Sequence, residues 1–542
     1  MKSPRLSTAY CLLLTALFLA HAFFYYSVLG TDAVDDAYIS FRYAQNAIRG
    51  NGLMFNPGER VEGFTNFLWT AAMIPLEGAG VDVGRASMIL GALIGLGLLW
   101  LVMRFAKQVD APEGVGLLAA LWLAADGSFV LWSVSGLETV LFAFFVFAGA
   151  FLYVREQDDS QFATLAPHAH LPWRAVPGSA GVRNSQFPYS GIFFALAGMT
   201  RPEGVMIFAI TVAHQAAWRM LAEKRLFTSR DILRGVAFTA LFVPYWLGRW
   251  WYYKSFLPNS FHAKVSTSGP AAQITRGWNH LNQFVNVHLG WLITLPPVLA
   301  LASSFRLQVS RITHHAPHFT PRLFWTTYFA ALIIPYAAYI IYVGGDWSVG
   351  RFFVPFLAPF YLLFSTGIVD VWKTLVDKWL NLGITAKRYA GLAVSMLITG
   401  AILVASSWMG EYGIFISGFD AGNATLARET MGKWLKQNVP HETLIAVDAA
   451  GQVPYFSELP AIDMFGINDL HIGRMQVATL GEGTPGHEKM DVVYVITRQP
   501  KYVVIYGTLF DSVKEYERAP VEWTTNTTLK NFLTLYQIKK VK

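Results

Sequence analysis

Two adjacent carboxylates, Asp35 and Asp36, directly follow the first long apolar stretch of the chain, in the run Asp35-Asp36-Ala37-Tyr38-Ile39-Ser40-Phe41-Arg42-Tyr43-Ala44-Gln45-Asn46. Neighbouring acids do not both ionise cheaply unless a cation stands between them or they divide roles. One then serves as a base toward a hydroxyl, while the other holds a metal, a cation or a donor group. Capping of the helix that starts here accounts for one aspartate, but not for two with a third at Asp32. Five further stretches set acids or amides against bases beside Gly or Pro. They are 50–66 with Glu62 and Asn66, 135–139 with Glu138, 200–204 with Arg201 and Glu203, 252–264 with Asn259 and Lys264, and 344–351 with Asp346 and Arg351. Arg201, Lys264 and Arg351 have the chemistry to hold a phosphate, Arg as a two-pronged fork and Lys as a point charge. Local ion pairing, Asp346 with Arg351 or Arg201 with Glu203, explains any one stretch as well as function does. Their convergence on one face points to a pocket.

Such groups need a scaffold, and the composition says which kind. Of 542 residues 54% are hydrophobic and only 14% are Asp, Glu, Lys or Arg, against about a quarter in a soluble domain. Eleven apolar stretches are long enough to span a membrane or nearly so, a full span needing about 20 residues. They lie near 8–30, 86–106, 114–133, 138–154, 190–200, 203–218, 233–252, 288–303, 323–343, 352–369 and 389–408. The first is read as an uncleaved helix, because its apolar run continues past the small-x-small site Ala20-His21-Ala22. With the N-terminus inside, 19 of the 29 Lys and Arg in residues 1–409 face inward, which orients the chain N-in and C-out. All six polar stretches then sit at the outer face. Ionisable groups at that depth are costly and mark a site.

The net charge of +7 divides into +9 over residues 1–409 and −2 over 410–542, so it reflects topology. No basic cluster interleaved with aromatics appears, and nucleic acid is excluded as a partner. The single cysteine, Cys11, rules out a disulfide framework and a Cys-based zinc site. Walker A and Gly-x-Ser-x-Gly motifs are absent. Asp126, inside the third apolar stretch, has no assignable role in the sequence.

The run Asp35-Asp36, Arg42, Asn46, Gly50-Asn51-Gly52, Phe55-Asn56-Pro57-Gly58-Glu59-Arg60-Val61-Glu62 and Thr65 resembles the first outer loop of the GT-C glycosyltransferases. The likeness is greatest to the AftB-type, polyprenyl-phosphate-arabinose-dependent arabinofuranosyltransferases and their bacterial relatives. Gly345–Arg351 and a soluble tail after the last helix are similar too, whereas Gly63-Phe64 and a long inner loop, 155–189, depart from the pattern. The resemblance implies an inverting transferase that takes a sugar, arabinofuranose in the AftB type, from a polyprenyl-phosphate carrier. The acceptor would be a glycan, lipid or protein hydroxyl of the cell envelope. It implies Asp35 or Asp36 as the base, with nearby cations or a divalent metal stabilising the phosphate. Substrate binding would fall to Arg42, Glu62, Asn66, Glu138, Arg201, Glu203, Asn259, Lys264, Asp346 and Arg351. The rival readings are a transporter or flippase for lipid-linked sugars and a lipid-linked phosphotransferase. Against the transporter, the charges crowd one face and no inverted repeat is visible.

The expected architecture is therefore a polytopic α-helical membrane protein of GT-C type with about 11 transmembrane helices. Residues 1–409 would form the catalytic membrane domain, with outer loop 31–84 carrying the Asp-Asp motif. Residues 410–542 would form a small extracytoplasmic α/β domain, with a helix near 427–438 and strands near 444–447, 503–506 and 532–538, that helps hold the acceptor. The expected location is the inner (cytoplasmic) membrane.

Overall fold

The computed structural model describes residues 4–30, 32–158, 187–265, 270–313, 320–376, 383–417 and 420–539. Most of the loop 155–189 lies outside these residues. The helices of the first part are α1 (Pro4–Val28), α2 (Asp35–Ile48), α3 (Phe67–Gly78), α4 (Val83–Gln108), α5 (Val115–Ala125), α6 (Gly127–Ser133), α7 (Thr139–Asp158), α8 (Ser190–Thr200), α9 (Glu203–Glu223), α10 (Ser229–Tyr253), α11 (Asn259–Lys264), α12 (Ala271–Asn286), α13 (Leu295–Thr313), α14 (Pro321–Val343), α15 (Val354–Leu375) and α16 (Ile384–Ile402). Helix starts follow local chemistry. Asp82 accepts from Arg85 N at 3.1 Å, and Thr320 caps α14 ahead of Pro321. Thr228 and Asp231 form a reciprocal capping box at α10.

All eleven expected stretches are helical, but they do not all cross. Among the described residues, eight helices are long and apolar enough to span a membrane, or nine when α5 and α6, bent by 68°, count as one. Helix α8 has 11 residues, about 16 Å of rise, too short for a hydrocarbon core. Helix α10 carries Arg230, Asp231, Arg234 and Arg249 and falls outside the spanning set. The chain is a multi-pass membrane protein with fewer full spans than its hydropathy suggests. The bend between α5 and α6 has a visible cause. Asp126 caps α6 by accepting from Phe129 N at 3.0 Å, and it also accepts from Tyr361 Oη at 2.7 Å and meets His288 Nε2 at 3.0 Å. A fully buried carboxylate is tolerable only with such partners.

After α16 the chain continues as a π-helical stretch, Leu403–Ile416, and then α17 (Ala421–Asn438), β1 (Ile445–Val447), α18 (Gln452–Ser457), β2 (Ala461–Asp463), β3 (Tyr502–Ile505), β4 (Tyr516–Arg518) and β5 (Thr534–Ile538). The sheet order is β2-β1-β3-β5-β4, with β1 parallel to β2 and β3, and β5 antiparallel to β3 and β4. The expected strands correspond to β1, β3 and β5. Strands β2 and β4, at three residues each, are not among the expected strands.

This C-terminal sheet unit docks on α2 and the loop after it. The Asp35 carboxylate accepts from Gln452 N at 2.9 Å and Gly451 N at 3.2 Å. A Cβ at Gly451 would lie 1.9 Å from the Asp35 carbonyl oxygen, so only glycine permits this approach. Arg42, 1% exposed, donates to Leu459 O at 3.1 Å and to Phe55 O at 3.2 Å. Asn56 trades two hydrogen bonds with Ala461, at 2.9 and 3.0 Å, much as a neighbouring strand would.

Candidate active site

A cavity of about 210 Å³ opens where α2, α11, the segment 344–353 and the C-terminal unit meet. Eight residues singled out in the sequence line it together: Asp36, Asn66, Glu138, Arg201, Glu203, Lys264, Asp346 and Arg351. They come from six separate stretches, and each is aimed by a local device.

Arg201 and Glu203 flank Pro202 at the break between α8 and α9. Arg201 donates to Glu138 at 2.9 Å and to Glu203 at 2.8 Å, so one guanidinium serves two buried acids. Asn66 donates to the other oxygen of Glu138 at 2.8 Å. It is oriented in turn by Ser40 and Thr70, which donate to its Oδ1 at 3.1 and 3.0 Å. Arg351 forks onto Asp346 at 2.7 and 2.9 Å and reaches Asp36 at 3.3 Å. Its guanidinium lies over the rings of Trp347, Trp132 and Phe352 at 5.3 to 5.6 Å, within cation–π range. Burial pushes the Asp346 carboxyl up, but Arg351, Lys264 and His280 outweigh it and hold it below the usual carboxylate range.

Asp36 differs from the other acids of the cavity. Its side chain is 32% exposed, whereas those of Asp346, Glu138 and Glu203 are 3%, 7% and 6% exposed. Among the described residues, its partners Trp347 (3.2 Å) and Arg351 both address Oδ2, and Oδ1 is free. Val34, not an aspartate, occupies the N-cap of α2. Neither acid is consumed by capping.

Lys264 stands alone among the cations. Arg201 is matched by two glutamates and Arg351 by two aspartates, but no described residue pairs with the Lys264 ammonium at contact distance. Burial, reinforced by Arg351, lowers its pKa. Among the described residues it is the one lining cation left to meet a ligand anion.

The four remaining expected residues are placed elsewhere. Asp35 and Arg42 hold the C-terminal unit as described. Glu62 forms a two-pronged pair with Arg249 at 2.7 and 2.5 Å. Asn259 Nδ2 lies within 2.9 to 3.1 Å of the carbonyls of Gly466, Ile467 and Asp469. These four build the walls and do not line the cavity.

Three lining or supporting residues escaped the sequence reading. Trp347 sits beside Asp346 and orients Asp36. Tyr339, on the cavity face of α14 with Val343, signals itself only through helical spacing. Glu411 lies in the π-helical stretch and accepts from Ser128 at 2.8 Å and Trp132 at 3.4 Å, beneath the ring on which Arg351 rests. As for a metal, no three His, Cys, Asp or Glu side chains gather as ligands among the described residues. The Arg351 guanidinium already stands between Asp36 and Asp346. The lining acids therefore do not fit a resident divalent cation.

The arrangement of helices, bent span and C-terminal sheet unit is the GT-C fold. Among solved structures it is similar to ArnT from Cupriavidus metallidurans, determined bound to undecaprenyl phosphate and in the apo state. Each gives a TM-score of 0.54 at 13% identity, covering 98% of both chains. In sequence the chain is similar to a terminal beta-(1->2)-arabinofuranosyltransferase of Corynebacterium glutamicum, 23% identical over 403 residues. That alignment takes in 71% of this chain and 52% of the relative, so the chain spans about half the length of the curated protein it matches. Residues 419–539 match a family model described as a domain of unknown function, DUF8728. The chain thus shares the fold of ArnT and is similar in sequence to an arabinofuranosyltransferase.

Proposed function

We propose that this protein is an inverting glycosyltransferase that moves a sugar from a polyprenyl-phosphate carrier to an acceptor hydroxyl at the outer face of the cytoplasmic membrane. In this reading residues 1–409 form the catalytic membrane domain and 410–542 the extracytoplasmic unit. One observation carries it: a carboxylate with a free oxygen, Asp36, shares a single cavity with an unpaired cation, Lys264. The likeness to an arabinofuranosyltransferase and the undecaprenyl phosphate found in ArnT support the donor class.

Asp36 takes the proton of the acceptor hydroxyl as its oxygen bonds to the anomeric carbon. The bond from that carbon to the phosphate oxygen breaks on the opposite face, and the polyprenyl phosphate leaves with the electron pair. Lys264 meets the growing charge on the phosphate. Arg351 and Trp347 hold Asp36 in place through its other oxygen. Arg201, Glu138, Glu203 and Asn66 form a hydrogen-bonded wall of net charge −1 with hydrogen-bonding capacity toward sugar hydroxyls. The acceptor is a glycan, lipid or protein of the envelope, and the sugar a pentofuranose such as arabinofuranose.

The deciding experiment offers purified protein a panel of polyprenyl-phosphate pentoses and hexoses and follows sugar transfer to acceptor. Transfer from a pentofuranose donor is expected. Lipid crossing the bilayer without any sugar transfer refutes the proposal in favour of a flippase.

A pH dependence follows from Lys264. A lysine whose pKa is lowered loses its proton at a lower pH than a free lysine, and a neutral amine no longer attracts phosphate. Binding of polyprenyl phosphate is expected to weaken as pH rises, beginning below the ordinary lysine range near 10.4. Lys264→Met should flatten this alkaline limb in a binding titration run at several pH values.

A further inference from the structure

We infer that the C-terminal unit, whose family model assigns no function, positions the phosphate-binding cations through one strap, residues 481–489. The inference rests on the proposed phosphate role of Lys264. Lys489, 4% exposed and contributed by the C-terminal unit, donates to His262 O at 2.8 Å and to Gly473 O at 2.9 Å. His262 belongs to α11, the six-residue helix that carries Lys264. Asn259 at the other end of α11 is held by the carbonyls of residues 466, 467 and 469. Both ends of the lysine's helix are therefore fastened to the C-terminal unit, and Asn259 N also donates to Glu62 O at 2.9 Å.

The same strap touches Lys264 directly. Gly486 lies against its aliphatic stem, and a Cβ there would come within 3.2 Å of the Lys264 Cε. Its φ of +83° is the left-handed conformation that glycine tolerates. Pro485 beside it lines the cavity, as does Ile467. The loop is closed internally by Glu488, whose Oε1 accepts from Gly481 N at 2.6 Å and Gly483 N at 3.0 Å. Glu488 also pairs with Arg276 at 2.8 Å, and Arg276 donates to Gly344 O at 2.9 Å and Gly483 O at 2.9 Å. Gly344 begins the segment that bears Asp346 and Arg351. One loop thus grips the two pieces of chain that hold Lys264 and Arg351.

A lysine with no ion-pair partner has four rotatable bonds and would otherwise scatter its ammonium over many positions. Gly486 and Pro485 on one side and the anchored α11 on the other restrict the stem, and the charge is presented preformed. Lys489 and Gly486 are positioning residues that act through Lys264.

The test uses the full chain in lipid nanodiscs with undecaprenyl phosphate, carrying no sugar, as the probe. Lys489→Met is expected to weaken its binding about tenfold, the scale of misplacing one charge-assisted hydrogen bond. Lys489→Arg, which keeps a donor to the two carbonyls, should restore binding to within about threefold. A folded Lys489→Met protein that binds the probe as tightly as wild type overturns the strap. Should Lys489→Met fail to fold, Gly486→Ala decides: weaker binding supports the strap, and unchanged binding overturns it. Lys264→Met separates the two layers. If its removal leaves binding intact, the phosphate role of Lys264 is what fails. If it weakens binding while both strap variants do not, the strap alone fails.

Discussion

Replacing Asp36 by asparagine is expected to lower sugar transfer by about 10³-fold while the protein still binds polyprenyl phosphate, because a positioned general base contributes about 10²–10⁴ in rate. Asparagine preserves the hydrogen bonds from Trp347 and Arg351 to one side-chain oxygen, so the cavity keeps its shape. What is lost is the free oxygen able to take a proton. Asp35→Asn separates the two neighbours. Its carboxylate is engaged by the amides of Gly451 and Gln452 and lies 3.9 Å from Arg428. Substitution there should loosen docking of the C-terminal unit, seen as a lower unfolding midpoint and faster proteolysis of residues 420–539. The chemical step at saturating substrate should change far less than in Asp36→Asn. Equal losses in the two variants would refute the division of labour. Single-turnover measurements with preformed donor complex distinguish these outcomes from altered binding.

The second large effect is expected at Arg201. Its guanidinium lies against two acids that are 7% and 6% exposed, and removing it leaves both charges buried without a partner. Breaking such a pair typically costs about 3–5 kcal/mol, more than the attraction itself contributes, because the orphaned charge cannot recover its hydration. Arg201→Met should therefore destabilise the bundle strongly, together with a loss of transfer. The sign can be tested without any substrate. Adding Glu138→Gln and Glu203→Gln to Arg201→Met removes the stranded charges and should recover most of the stability, though not the activity. Chemical unfolding in mixed micelles reads both changes. A single variant as stable as wild type would show that the acids find another counter-charge.

How much of this was legible beforehand depends on whether a residue's role is set by its neighbours in sequence or by distant chain. The Gly344–Arg351 segment carries its own acid, base and turn, and its pairing follows from local spacing. Asp35 and Asp36 are a harder case. Successive helix residues point about 100° apart, so the two carboxylates had to face different surroundings. Only the position of Gly451 tells which of them faces the cavity. Glu62 reads as a site residue because it emerges from a tight Gly- and Pro-bounded loop at the outer face. Its partner Arg249 lies 187 positions away. The expected eleven spans illustrate the same limit. Hydropathy measures how apolar a stretch is, while α8 ends after 11 residues because Arg201, directly before Pro202, takes an extended backbone. Asp126 was opaque for the converse reason, since His288 and Tyr361 reach it from helices far along the chain. The helix and strands β1, β3 and β5 of the C-terminal unit were visible, but the loop 481–489 carries no periodic pattern.

The docking of the C-terminal unit also bears on when the protein becomes complete during its synthesis. The bonds from Asp35 to Gln452 and from Arg42 to Leu459 join residues separated by 417 positions, and Asn56 reaches across 405. Ribosomes add about 5–20 residues per second, so α2 waits tens of seconds in the growing chain before its partners exist. Until then, buried Arg42 and the Asp35 carboxylate face water or lipid headgroups, and Lys264 lacks the loop that holds it. A chain interrupted before residue 489 would possess every acid and base of the cavity and still lack its far wall. Assembly of the cavity therefore waits on residues 451–489, which are made long after the helices they fasten.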